Sequence, residues 1–230
     1  MTRIENTWQK YWDRHYPRGH EYGTCFANHD IKKFYINIPK NATNWGKLWA
    51  LGSGFKESNY HQKQLLEQGY QPIVFLREPI DRWYAGMAEW IDRYRVFQPN
   101  NIEFTDQLIS VILERVAFDS HTEEQVMFLE NIDTDNCVFF RVDDQLINNF
   151  THYVEHELGL NPEKVPTNKQ YEAKGGFKED FKTQLKEATS SSVYQDFRKG
   201  QQSAEQRLKD YYKVDIDLYN SVQYYIKDNK

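Results

Sequence analysis

Hydrophobic positions along the chain follow two rhythms, helical spacing and short unbroken runs. Ile4, Trp8 and Trp12 recur at i, i+4 and i+8, and Pro17 with Gly19 ends the pattern, so residues 1–30 read as a helical N-terminal extension with an apolar docking face. Phe34-Tyr35-Ile36-Asn37-Ile38 reads as a short buried strand that runs at once into Pro39-Lys40-Asn41-Ala42-Thr43 and a helix whose Trp45, Leu48 and Trp49 share a face. Gly52-Ser53-Gly54 breaks that helix, and residues 57–68 can form another. Gln71 to Leu76 is a second buried run, and Ile80, Trp83, Met87, Trp90, Ile91 and Tyr94 then fall at helical spacing as far as Pro99. Residues 104–118 and 123–129 read as helices, and Cys137 to Val142 as a third strand. Strands alternating with long helices predict an α/β fold, a parallel sheet with helices on both faces, over residues 34–160.

Beyond residue 160 the pattern turns polar. Phe177, Phe181 and Leu185 are in register within 177–200 before Ser190-Ser191-Ser192 interrupts them, and 204–227 is helical and rich in tyrosine, giving a helical C-terminal part over 161–230. At 230 residues one domain is expected, long enough for a full core without a staple.

Charge and cysteine usage narrow the partners. With 29 Lys and Arg against 34 Asp and Glu the net charge is −5, which counts against a nucleic-acid binder and a densely sulfated polymer as partner. Cys25 and Cys137 stand far apart with no CxxC, so neither a disulfide framework nor a zinc knuckle is expected, and no metal-ligand spacing occurs. No run approaches the ~18 apolar residues of a membrane span. A cytoplasmic location, with no membrane partner, is therefore expected.

The segment richest in chemistry is Tyr35 to Trp45. A strand that turns sharply into a helix leaves backbone N–H groups converging at the positive end of the helix dipole, a place for an anionic oxygen cluster. Lys40 adds a charge there, and Thr43 and Asn44 add side-chain donors. No glycine stands shortly before Lys40, so the Walker A pattern of ordinary ATP or GTP sites is missing. Simpler roles stand beside these: a solvated Lys40, a core Trp45 sharing the face of Leu48 and Trp49, and an Arg77 that pairs with Glu78 or Asp81 at a helix start.

Pro39-Lys40-Asn41-Ala42-Thr43-Asn44-Trp45 after a strand resembles the 5′-phosphosulfate loop of the sulfotransferases, usually written PK(S/T/A)GTTW. Val74 to Trp83 is similar to that family's 3′-phosphate motif, a strand, then R(D/E/N)PxxR, then a helix. Further likenesses point to the carbohydrate sulfotransferases and their bacterial and viral relatives: His121-Thr122-Glu123-Glu124-Gln125 resembles an HWxPQ segment, Phe139 to Asp144 the RxE(D/N)L element, Pro166 to Lys169 the PxxNx segment, and Tyr211 to Tyr219 a closing YxxDxxLY helix. Together they span about residues 34–222.

The resemblance implies a P-loop-like sheet of about five strands, three of which the pattern locates, and 3′-phosphoadenosine 5′-phosphosulfate as sulfuryl donor with no metal. It assigns Lys40 to the leaving 5′-phosphate and Pro39, Asn41, Ala42, Thr43 and Asn44 to the loop around it, with Trp45 on the adenine and Arg77 on the 3′-phosphate. The family usually has a serine eight residues after that arginine, where this chain has Ala85, with Tyr84 or Arg82 as possible substitutes. The acceptor would be a hydroxyl or amine of a small molecule or saccharide. Its proton needs a base within hydrogen-bond reach; His61, after the Gly52 to Gly54 break, is preferred, with Glu57 next, and His121 is assigned to the acceptor. Two rivals remain, a non-catalytic nucleotide-binding module of the same fold and a nucleotide-dependent kinase.

Overall fold

The computed structural model describes residues 24–58, 62–94, 106–129, 132–167, 177–190 and 203–227. The helix expected around Trp8, the tail of the 177–200 run and His61 lie outside them.

Five short strands form one mixed sheet: β1 (Thr24–Asn28), β2 (Lys33–Asn37), β3 (Lys56–Glu57), β4 (Gln71–Leu76) and β5 (Val138–Arg141), in the order β3-β1-β2-β4-β5. β2, β4 and β5 are parallel, in register through Tyr35 opposite Ile73 and Leu76 opposite Arg141. The all-parallel expectation is corrected at the other side, where β1 runs antiparallel to both β2 and β3. The cause is local. Only four residues, His29 to Lys32, join β1 to β2, and Lys32 at φ 50° closes them as a hairpin, whereas a parallel crossover needs a dozen or more residues. Glu57, expected to begin a helix, pairs instead with Phe26 on the edge strand β3. The helix expected at 123–129 is a 3₁₀ turn, Gln125–Leu129.

The described residues gather into two compact units. The first draws on the described residues within Met1–Arg77, Gln125–Glu172 and Leu218–Lys230 and contains the sheet. Around it lie α1 (Thr43–Gly52), α2 (Gln62–Glu67) and, after β5, α5 (Leu146–His156). Phe26, Tyr35, Ile73, Phe75 and Phe140 project from one sheet face into a core shared with Trp45 and Trp49 of α1 and Phe150 and Tyr153 of α5. The Phe150 ring centroid lies 4.6 to 5.3 Å from those of Trp49, Phe140, Phe75 and Trp45. On the other face Phe34, Ile36, Val74, Leu76 and Phe139 are buried as well, as the continuous apolar runs of these strands require. Gly46 is what lets α1 approach: a Cβ there would overlap the Tyr35 ring. Tyr224 bridges to Phe139 and the Tyr225 N–H donates to the Phe139 carbonyl at 2.9 Å, so the outer edge of β5 is covered.

The second unit, Glu78–Glu124 and Ala173–Asp217, is helical. It holds α3 (Pro79–Tyr94), α4 (Asp106–Arg115), α6 (Phe177–Ser190) and α7 (Ala204–Tyr211), and α8 (Lys213–Ser221) begins in it. Trp83 and Met87 of α3 meet Ile109, Ile112, Leu185, Leu208 and Tyr212 in its core. The Trp83 indole N–H donates to the Val116 carbonyl at 2.9 Å. Among the described residues no helix is long and apolar enough to cross a membrane.

Candidate functional site

β2 ends at Asn37, and the chain reverses at once. The Ile38 carbonyl accepts the Asn41 N–H at 3.1 Å across Pro39 and Lys40, and Lys40 has φ 68°, the positive value that a type II turn requires at its third position and that Pro39 favours by occupying the second. Ala42 follows at φ 56° and ψ 33°, again left-handed, as the N-cap of α1. An alanine has no oxygen with which to cap a helix. Thr43, the next residue, turns its hydroxyl back to the Ile38 carbonyl at 2.9 Å. The first helical bond is therefore Gly46 N–H to Ala42 carbonyl, and the N–H groups of Thr43, Asn44 and Trp45 have no acceptor within the helix or from a capping side chain. The first turn of α1 also carries no acidic residue, so the positive end of its dipole is not offset locally.

Arg77 follows β4 just as Lys40 follows β2, on the neighbouring parallel strand and at the same, carboxyl, end of the sheet. Its Nη1 donates to the Lys40 carbonyl at 3.3 Å. A fully buried glutamine ties the two turns further. Gln125 Oε1 accepts from the Arg77 N–H at 3.1 Å and from Asn41 Nδ2 at 2.5 Å, while Gln125 Nε2 donates to the Arg77 carbonyl at 2.9 Å. Asn41 Nδ2 also donates to the Phe75 carbonyl at 2.7 Å, and Asn41 Oδ1, buried, has no hydrogen-bond partner. The chain leaves β2 toward β3 on one side and leaves β4 toward β5 on the other. Connections that part in opposite directions mark the switch point at the carboxyl ends of two parallel strands, the usual ligand position in open α/β sheets, and Lys40 and Arg77 follow those two strands.

Of the residues singled out from sequence, Pro39 through Asn44 and Arg77 are brought together here. Trp45 is not available as a stacking platform, which corrects that expectation. It is 3% exposed, its ring lies against Phe75 and Phe150, and its indole N–H donates to the Pro166 carbonyl at 2.8 Å. The Asn41 side chain likewise faces inward, so it braces the loop. Glu57 is exposed on β3, separated from β2 by β1, and is not gathered with Lys40 and Arg77. The described neighbours of His61 are anchored, Ser58 N–H to the Cys25 carbonyl and Gln62 Nε2 to the Phe128 carbonyl.

Ala85, half-buried, and His121 belong to the helical unit. His121 Nδ1 lies 3.1 Å from an Asp119 carboxylate oxygen, and the other oxygen of that carboxylate accepts the His121 N–H at 2.9 Å. Neither substitute for the missing serine is idle. Arg82 is fully buried, its guanidinium donating to the Ser120 and Glu123 carbonyls, and the Tyr84 hydroxyl is 2.7 Å from Thr189 Oγ1.

Two residues escaped the sequence reading of the chemistry. Gln125 ends the His121–Gln125 segment, and its signal was a polar residue heading the apolar run Val126-Met127-Phe128-Leu129, all of it buried. Glu124, buried in the helical unit, is pushed up to about 8, first by burial and then by the charge of Asp215; its Oε2 accepts from the Tyr211 hydroxyl at 3.4 Å and its Oε1 has no partner. Both cysteines are free thiols, and burial pushes Cys25 up to about 12, so it is no nucleophile at neutral pH. Among the described residues no group of three or more His, Cys, Asp or Glu is placed to hold a metal ion. Comparison with protein-family models, curated proteins and solved structures found no match.

Proposed function

We propose that this protein is a sulfotransferase that uses 3′-phosphoadenosine 5′-phosphosulfate and acts on a hydroxyl or amine of a small molecule or saccharide. One observation carries the reading. The two turns that resemble the family's phosphate motifs, far apart in the chain, meet through the Arg77 guanidinium on the Lys40 carbonyl at 3.3 Å. Ala42 supports it, since it stands where the family pattern has glycine and adopts the left-handed backbone that glycine prefers. The uncapped start of α1 also suits a phosphate, whose oxygens can accept the N–H groups of Thr43, Asn44 and Trp45.

In this scheme Lys40 and those amides neutralise charge on the 5′-phosphate, and Arg77 holds the 3′-phosphate that distinguishes the donor from an ordinary adenine nucleotide. The donor, when bound, supplies the sulfuryl group, which passes to the acceptor oxygen or nitrogen as its bond to the 5′-phosphate breaks. The acceptor's proton needs a base within hydrogen-bond reach, for which His61 is the preferred residue. The protein's work is positioning and charge neutralisation, as in phosphoryl transfer.

A second reading, a nucleotide-binding module without transfer, draws on Ala85 in the serine position and on the internal commitments of Arg82 and Tyr84. Calorimetric titration with 3′-phosphoadenosine 5′-phosphate, and separately with ADP and Mg²⁺, tests the donor assignment on the wild type and on Arg77→Ala. The expected result is at least tenfold tighter binding of the 3′-phosphorylated nucleotide, a preference that Arg77→Ala erases. Equal binding of ADP would favour a kinase, and binding without any turnover across an acceptor screen would favour the module.

A further inference from the structure

We propose that Gln125 is a positioning residue whose single amide locks the Lys40 turn to the Arg77 turn, presenting the two cations as one preset site for a ligand with two phosphate groups. This rests on the donor reading for the identity of the ligand, but not for the lock itself. The hydrogen bonds close a circuit. Asn41, next to Lys40, donates to Gln125 Oε1; Gln125 engages both the N–H and the carbonyl of Arg77; and Arg77 Nη1 returns to the Lys40 carbonyl. Asn41 adds a strut to the Phe75 carbonyl, two residues before Arg77.

Residue chemistry explains why a glutamine stands there. A planar amide offers an acceptor and a donor side by side at every pH, the pattern needed to pair with both backbone groups of one residue. A glutamate keeps the acceptor and, once ionised, loses the donor to the Arg77 carbonyl. An apolar residue leaves the Arg77 N–H, the Arg77 carbonyl and one Asn41 donor short of a partner in a buried setting. The amide itself is held still, because the whole 3₁₀ turn that carries it is buried. A rigid second layer of this kind sets groups in place before a ligand arrives, which raises affinity by lowering the ordering cost of binding. The structural commitment of Asn41 and Gln125 also explains how a loop without glycine holds two left-handed residues, Lys40 and Ala42, one on each side of Asn41.

The test compares the full-length wild type with Gln125→Met, close to isosteric, with Gln125→Glu, and with Val154→Ala, a core truncation on α5 outside the site. Two readouts are taken: hydrogen exchange of the free proteins, and the affinity ratio of 3′-phosphoadenosine 5′-phosphate to ADP. Gln125→Met is expected to lose protection selectively at the Asn41 and Arg77 amides, whose hydrogen bonds the lock holds in place, and to shrink the ratio at least tenfold. Val154→Ala should lower stability without moving the ratio. If Gln125→Met does not fold, Gln125→Glu decides, with protection around Arg77 lost as the pH is raised through ionisation of the new carboxyl and kept at Asn41. Unchanged protection at both turns, or a ratio that moves equally in Val154→Ala, overturns the proposal. If the wild type shows no preference for the 3′-phosphorylated nucleotide, the donor reading falls, and the exchange measurement alone upholds or overturns the lock.

Discussion

Glu124 shows how far burial moves a single group. Its carboxyl is raised from an ordinary 4.5 to about 8, chiefly by burial and then by the negative charge of Asp215. The folded chain therefore keeps a proton that the unfolded chain gives up above its own lower value. The corresponding stability is fully present below about pH 4.5 and is lost as the pH rises toward 8. Gln cannot ionise, so Glu124→Gln is expected to be more stable relative to wild type at pH 9 than at pH 5, by on the order of a few kcal/mol. Urea unfolding of both proteins across that range checks it, and parallel pH profiles would refute it. At this scale the sequence was readable where a residue's own chemistry is unambiguous. Lys40 and Arg77 stood at strand-to-helix turns that local pattern identifies. Trp45 was ambiguous, because an indole beside a phosphate turn suits a ligand and a core equally, and only the Phe75 and Phe150 rings decide between them. The role of Gln125 depends on partners 48 and 84 residues away, which no local pattern encodes.

Elements differ in how much room they leave. A Cβ on Gly86, in the middle of α3, would overlap the His121 backbone carbonyl, and backbone cannot swing aside as a side-chain tip can. Gly52, at the end of α1, would meet nothing nearer than the Lys164 Cδ at 4.0 Å. Alanine favours helix over glycine by about 1 kcal/mol, so Gly52→Ala is expected to be neutral or mildly stabilising, whereas Gly86→Ala should cost about 2 kcal/mol or more. Thermal melts of the two variants separate them, and equal midpoints would sink the argument. The strand-helix rhythm located β2, β4 and β5 because continuous apolar runs mark strands buried on both faces. β1 was missed because Thr24 to Asn28 shows neither alternation nor a long apolar run, and β3 because two charged residues carry no strand signal.

On the scale of the whole molecule, each compact unit is assembled from separated stretches of chain. Sequence patterns are local, so a single domain with a helical C-terminal part was expected, and the interleaving of the two units was not visible. The interleaving has a physical consequence. Trp83 and Met87 bury themselves against Leu185, Leu208 and Tyr212, which come about a hundred residues later. A fragment ending at residue 172 would leave large apolar side chains of α3 uncovered. Such a fragment is expected to lack a cooperative thermal transition and to bind a hydrophobic dye, which calorimetry and dye fluorescence check; a sharp melt would show that the first stretch is self-sufficient.

The covered edge of β5 has a bearing on how the chain is made. Tyr224 and Tyr225 close the Phe139 flank of the sheet, yet they leave the ribosome long after β5 does. Between the emergence of β5 and that of Tyr224, the nascent sheet would offer an open rim of hydrogen-bonding groups to any other extended chain nearby. Shielding of that rim by a chaperone, or fast synthesis of the stretch from β5 to Tyr225, would therefore limit aggregation of the newborn protein.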